Sequence, residues 1–333
     1  MHIFITGVAG FLGSNLADYY LDKGFKVSGN DNLIGGDLKN VNSKVNFYKS
    51  DCEDFTKNKG IFKNVDIVIH TAAFAHEGLS VFAPHLISKN VFSGSVSVFT
   101  AAIENKVKRI VFMSSMARYG ENENLFKEID IPEPVDPYGI AKLAAEKVLI
   151  NLCETHGVEY NIAVPHNIIG KKQRYKDPFR NVAAIMINMI LQNRRPVIYG
   201  DGEQKRCFSD VRDCIYCIDQ LATNKEIKSE IFNIGPDENY ISINKLFEII
   251  SNKMKFNLEP IYFEDRPKEV KFANCSAEKA RKLLNYKTNY SIEDSIDEMI
   301  TEIKSQGPEK FVYNYDIEIN SKILPSTWKN KFF

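Results

Sequence analysis

A short apolar run, His2-Ile3-Phe4-Ile5, leads straight into Thr6-Gly7-Val8-Ala9-Gly10-Phe11-Leu12-Gly13, and no other feature constrains the chain as much. A strand must turn sharply there into a helix that carries Leu16, Tyr19 and Tyr20 on its apolar side. Gly7 permits the turn, Gly10 lets a pyrophosphate approach the backbone, and Gly13 lets the helix pack on a sheet. Amides at the start of the helix then face the phosphates. Surface turns produce similar glycine strings, but strand, glycines and amphipathic helix occur here in the order a dinucleotide site requires.

The next apolar stretch, 25–30, ends at Asp31, the distance at which a carboxylate accepts hydrogen bonds from the adenosine ribose. No arginine follows within Asn32-Leu33-Ile34-Gly35-Gly36 to neutralise a 2′-phosphate. The residues therefore point to NAD rather than NADP, a solvated turn aspartate being the other reading.

Further apolar runs at 45–47, 65–70, 109–113 and 160–164 alternate with helical patterns. That alternation predicts an α/β fold with a Rossmann-type doubly wound parallel sheet, which binds ligands at the carboxyl ends of its strands. Asp51-Cys52, Thr71-Ala72-Ala73 and Ser114-Ser115 all follow such runs and fall on that rim. Beyond residue 164 the pattern breaks into short pieces around Pro165-His166-Asn167, the basic loop Lys171-Lys172-Gln173-Arg174, and Gly200-Asp201-Gly202. We expect a Rossmann domain over 1–164, to which some later segments return, a smaller mixed substrate lobe over 165–304, and a C-terminal extension over 305–333. That extension carries Phe311, Tyr313, Tyr315, Trp328, Phe332 and Phe333, enough apolar surface to dock on the body or on a partner subunit.

Composition sets outer limits. With 333 residues, 44% of them hydrophobic, and 43 basic against 43 acidic side chains, the chain can build a large core and shows no charge excess to attract a nucleic acid. No signal peptide and no apolar run long enough for a bilayer is read, so a cytoplasmic protein without a membrane partner is expected. Cys214 and Cys217 form a lone CxxC without a second pair or a histidine cluster. The run 211–218 around them reads as an amphipathic helix, and no metal site is expected.

The chemistry is concentrated in Asp136-Pro137-Tyr138-Gly139-Ile140-Ala141-Lys142. Asp136 suits an N-cap, Pro137 the first helical position, and Tyr138 and Lys142 share one face. An adjacent ammonium and a nicotinamide cation would both favour phenolate, making Tyr138 a base near neutral pH.

With the glycine turn, Asp31, Ser114-Ser115 and the Tyr-x-x-x-Lys helix in this order, the chain resembles the extended short-chain dehydrogenase/reductase family, and within it the nucleotide-sugar 4-epimerases. The strings 196–206 and 266–269 extend that resemblance to about Lys304. It implies a cytoplasmic enzyme using NAD on a nucleotide sugar: Tyr138, Lys142 and Ser115 catalytic, hydride leaving and returning at C4 through a 4-keto sugar. It adds Phe11, Leu12, Asn32, Asn90 and His166 to the cofactor contacts already named at Gly7, Gly10, Gly13, Asp31, Asp51, Cys52, Thr71, Ala72 and Ala73. It assigns Arg206 and Arg266 to the diphosphate, Glu269 to the ribose, and Asn167 and Asn181 to sugar and phosphates. Ile198 and Tyr199 fall to the base, and Ala273 to the sugar wall, where a small residue leaves room for an acetamido group.

Relatives that dehydrate or decarboxylate the keto sugar carry a carboxylate just after the catalytic Ser/Thr; Met116 and Ala117 stand at those positions. Ala117 and Asn167 likewise disfavour a uronate. Ala75 departs from the usual lysine, with His76-Glu77 beside it. Arg118 reads as a solvated charge, or else as an extra anion contact. The resemblance also implies a homodimer through helices near 88–105 and 138–156, using Val91, Val98, Ala102, Leu143, Val148 and Leu152. A 4-keto nucleotide-sugar reductase and a non-enzymatic dinucleotide sensor are the alternatives.

Overall fold

The computed structural model describes residues 1–121, 125–238 and 240–333. Strands β1 (His2–Thr6), β2 (Lys26–Asp31), β3 (Asn46–Lys49), β4 (Ile67–His70), β5 (Arg109–Met113) and β6 (Glu159–Pro165) join a seventh strand, Glu230–Ile234, in one sheet. Its order is Glu230–Ile234, β6, β5, β4, β1, β2, β3, and every neighbouring pair is parallel. Side chains alternate faces with period two. Ile3, Ile5, Val111 and Met113 enter one core with the helix Val211–Thr223. Phe4, Ile110 and Phe112 enter the other with the helices Gly94–Glu104 and Pro137–His156. Both faces being covered, the strands read as continuous apolar runs. The seventh strand lies far beyond residue 164 in the chain and pairs Ile231 with Ile162, so late segments do return to the sheet.

Cys214 and Cys217 pack in the first core, where burial holds both thiols above their ordinary range. One expectation fails in detail. The segments Pro84–Ser88, Lys89–Ser93 and Gly94–Glu104 run on as one helix, and Pro84–Glu104 is long and apolar enough to cross a membrane. Its Val98, Phe99, Ala101 and Ala102 are fully buried against the sheet, so part of its apolar character serves the core of the protein. Of the apolar residues expected at a dimer interface, Val91, Val98 and Ala102 are buried inside their own subunit, while Leu143, Val148 and Leu152 are half-buried.

The irregular second half forms a separate core from the helices Val182–Leu191, Ile243–Met254 and Ile292–Gln306. Short strand pairs frame it: Asn167–Ile169 with Phe208–Asp210, Val197–Tyr199 with Ile261–Phe263, and Lys205–Arg206 with Ile241–Ser242. The C-terminal extension docks on the body: Tyr315, Leu324 and Trp328 are buried with Phe82, Tyr138 and Phe179.

Candidate active site

Two clefts meet at the carboxyl ends of the strands. The first is lined by the glycine turn and by Phe11, Leu12, Asp31, Asn32, Asp51, Cys52, Thr71, Ala72, Ala73 and Asn90. Gly7 takes φ 70°, which a side chain resists. A Cβ on Gly13 would lie 2.2 Å from the Gly7 carbonyl oxygen, and one on Gly36 would lie 2.8 Å from the Asp31 carboxylate. Gly10 caps the following helix without a side-chain acceptor, leaving its first amides for an anion. Asp31 is aimed by two amides, accepting from Leu33 at 2.7 Å and Ala9 at 3.1 Å. Asn90 sits on a π-helical turn, Lys89–Ser93, and its Oδ1 accepts from the Phe74 amide at 2.8 Å. Such bulges concentrate at functional sites.

The second cleft carries the side chains expected to do the chemistry. Asp136 accepts from the Gly139 amide at 2.9 Å and caps the helix Pro137–His156. Its buried stripe runs Tyr138, Lys142, Ala145, Glu146, Leu149 and Cys153, a 3.6-residue period that takes two charged residues inside with the apolar ones. Lys142 Nζ donates to the Met113 carbonyl at 2.7 Å. Burial brings Lys142 down to about 7, against the opposing pull of Glu146. Ser115 Oγ accepts from the Ala117 amide at 3.2 Å, and its hydroxyl hydrogen stays free to donate. Ser115 is therefore both a strand-end cap and a neighbour of the Tyr138 hydroxyl.

The expected low phenol pKa is not a property of the protein alone. Burial first, then the charge of Glu77, push Tyr138 up, and Arg180 and Ser115 pull the other way. Lys142, partly neutral near pH 7, cannot by itself reverse this.

Arg118 is neither solvated nor in the cleft. It is 4% exposed, its guanidinium lies 3.2 Å from Glu146, and Ser114 donates to the other Glu146 oxygen. Sequence spacing gave no sign of this pair, because the turn Met116–Arg118 folds the side chain back under the sheet rim.

Ser115, Tyr138, Lys142, His166, Asn167, Asn181, Ile198, Tyr199, Arg206, Arg266 and Glu269 all line the second cleft. His166, expected at the cofactor, lines this cleft, as do Phe11, Leu12, Thr71 and Ala73, which also line the first. Asn181, at φ 60°, caps its helix by accepting from the Ala184 amide at 3.0 Å. Arg206 is held by the carbonyls of Lys205 at 2.7 Å and Val270 at 2.5 Å. Arg266 forks onto Glu269 at 2.6 and 3.1 Å. Ala273 is the exception. It is buried in the core with Phe126 and Cys275, its amide donates to Tyr240 Oη at 2.9 Å, and it is not a lining residue of the cleft.

Several lining residues were assigned to no site from the sequence, since they come from distant loops. Arg174 and Arg180 border the first cleft together with Tyr315 of the C-terminal extension. Arg174 is engaged by the Ile34 carbonyl at 2.7 Å. His76 pairs with Asp177 at 2.9 Å and ties the 75–77 loop to the segment that follows the basic loop 171–174. Phe333 reaches the second cleft, and Thr327 Oγ1 shares a hydrogen with Tyr199 Oη at 2.5 Å.

Known proteins share this fold. The chain is 33% identical over 308 residues to a putative UDP-glucose 4-epimerase of Methanocaldococcus jannaschii, covering 92% of this chain and 99% of that protein. The crystal structure of UDP-glucose 4-epimerase with UDP-glucose from Thermotoga maritima superposes with a TM-score of 0.87 at 30% identity, covering 92% of this chain and 99% of that one. UDP-N-acetylglucosamine 4-epimerase from Methanobrevibacter ruminantium, in complex with UDP-N-acetylmuramic acid, does so at 0.85 and 31%, over 92% and 98%. Residues 3–235 match the NAD dependent epimerase/dehydratase family, and the chain belongs to it.

Proposed function

We propose that this protein epimerises C4 of a UDP-linked hexose or N-acetylhexosamine, using bound NAD and no added reductant. One observation carries the reading. Tyr138, Ser115 and Lys142 line a substrate cleft that shares Phe11, Leu12, Thr71 and Ala73 with the glycine-cradled cleft, while the next positions offer only Met116 and Ala117. One base suffices for epimerisation, and the turn after Ser115 provides no second.

The first cleft fits a dinucleotide. Its backbone leaves no space for a Cβ at Gly7, Gly13 or Gly36, its uncapped helix start offers amides, and Asp31 offers an acceptor for ribose hydroxyls. NAD held there supplies the acceptor and donor of hydride. In this reading Tyr138 takes the proton of the sugar 4-hydroxyl as C4 is oxidised, and returns it after the keto sugar has turned its other face. Ser115 donates to the oxygen being oxidised. Lys142, anchored at one N–H by Met113, keeps two others for Tyr138 and a ribose. Arg206 and Arg266 present planar donors to the diphosphate, and Glu269 accepts from ribose hydroxyls. Because Ala273 lies in the core, nothing on the cleft wall supports a restriction to acetamido sugars, and the proposal covers both hexose types.

Purified protein incubated with UDP-GlcNAc and, separately, UDP-glucose is expected to produce the C4 epimer, followed by the anomeric proton signals in NMR. Tyr138→Phe should lower turnover by at least about a hundredfold. Conversion that requires added NADH would replace the proposal with a reductase, and turnover unchanged in Tyr138→Phe would remove the assigned base.

A further inference from the structure

We propose that Glu77 selects the substrate: its carboxylate takes a hydrogen bond from a neutral sugar or its amide and rejects a sugar bearing its own carboxylate. This rests on the nucleotide-sugar reading above. Glu77 lines the second cleft together with Ser115, Tyr138, Arg206 and Arg266. It opens the turn Glu77–Ser80, which is fastened at Ser80, whose hydroxyl donates to the Glu77 carbonyl at 2.6 Å and lies 3.3 Å from the Asp136 carboxylate. The turn therefore cannot swing out without disturbing the cap of the Tyr138 helix. Next to it, a Cβ on Gly78 would lie 3.5 Å from an Arg266 guanidinium nitrogen.

Among the described residues, nothing accepts or donates a hydrogen bond to the Glu77 carboxylate, although it is the one acid on this wall without a duty. The cations facing it are already bound elsewhere, Arg206 to backbone carbonyls and Arg266 to Glu269. A carboxylate enclosed by a ligand must find a donor or lose the free energy of its hydration. Sugar hydroxyls and an acetamido N–H are donors; a uronate carboxylate is not, and it would add a like charge in a low-dielectric cleft. The Glu77 side chain is exposed to the open cleft; the protein crowded around that cleft, and then the neighbouring Asp136, push its carboxyl up to about 7, with Arg206 and Arg266 opposing and Glu269 adding to the rise. Selection against a uronate should thus fade as the pH falls below 7.

The test uses binding, so that it does not depend on turnover. Affinities of UDP-glucose and UDP-glucuronate are measured by calorimetry on full-length Tyr138→Phe protein with and without Glu77→Gln, at pH 8 and pH 5.5, with thermal melts to confirm folding. We expect preference for UDP-glucose over UDP-glucuronate at pH 8, reduced at least about tenfold by E77Q. It should also weaken at pH 5.5 in the parent, and by clearly more than in E77Q, where Lys142 of the same cleft still gains charge over that range. Glu77→Asp, which keeps the charge, should retain most of the preference. A preference unchanged by E77Q and by pH, with both ligands binding, overturns the assignment of Glu77 alone. Binding of neither ligand to the parent overturns the nucleotide-sugar reading and this one with it.

Discussion

Buried charge beneath the reaction centre is the main residue-scale cost of this site. Glu146 lies one helical turn beyond Lys142, 1% exposed, and faces Arg118 and Ser114. Burial raises its carboxyl, and Arg118, Ser114 and Lys142 offset only part of that rise. Removing one partner leaves the other charge without compensation in a low-dielectric interior, whereas removing both costs little. Arg118→Met should therefore destabilise the protein by about 3–5 kcal/mol, and the double variant Arg118→Met/Glu146→Leu should recover most of that loss. Urea unfolding midpoints at pH 7.5 measure both. If the double variant is no more stable than the single one, the two side chains act separately and the pair is incidental.

At the scale of elements, most of the fold was legible because strand and helix periods survive in the sequence. β5 was expected at 109–113 and is found at Arg109–Met113, and the Tyr138 helix begins at the predicted Pro137 after an Asp136 cap. The site residues that were legible lie within a few positions of a turn, a cap or a strand end. Those that were not arrive across long sequence distances: Arg118 on Glu146, His76 on Asp177, Tyr199 on Thr327. Local pattern carries no record of such pairings, nor of the turn that takes Ala273 into the core. The helix pair shows the same limit, since periodicity marks apolar positions without saying which core they enter. With Val91, Val98 and Ala102 committed internally, pairing of two copies must use the remaining faces, where Ile140 is 54% exposed and Phe92, Ile103 and Leu143 are half-buried. We propose that a homodimer forms there. Ile140→Asp places a charge on that surface at the start of its helix, where an acid suits the helix dipole. Sedimentation velocity should give a dimer for the parent and a monomer of unchanged melting temperature for the variant. A dimer that persists in the variant moves the interface elsewhere.

For the whole molecule, the C-terminal extension joins what the domain division separates. Trp328 packs edge-on to Phe82 at 5.9 Å and to Phe179 at 5.2 Å, bridging the Rossmann body and the loop before the helix Val182–Leu191. Tyr315 meets Phe74 at 5.1 Å and the His76 ring at 4.5 Å, so the same segment backs the loop that carries Glu77. One residue before Trp328, Thr327 shares its hydrogen with Tyr199, whose ring lies 4.8 Å from the Arg266 guanidinium. Stability and substrate binding should then separate in two variants. Trp328→Ala empties a buried site between two aromatic rings and should cost about 3–5 kcal/mol, read as a lower urea midpoint. Thr327→Val keeps the volume and removes the hydroxyl, so the fold should survive. Tyr199 then loses a bond of about 1 kcal/mol that holds it beside Arg266, and KM for the nucleotide sugar should rise about fivefold at unchanged kcat. In the proposed complex Tyr199 and Arg266 would contact the substrate equally before and during the reaction, so their loss would weaken binding without touching the barrier. A Thr327→Val enzyme with unaltered KM would limit the extension to packing, and a fall in kcat instead would mean that it acts on Tyr138 through the core they share.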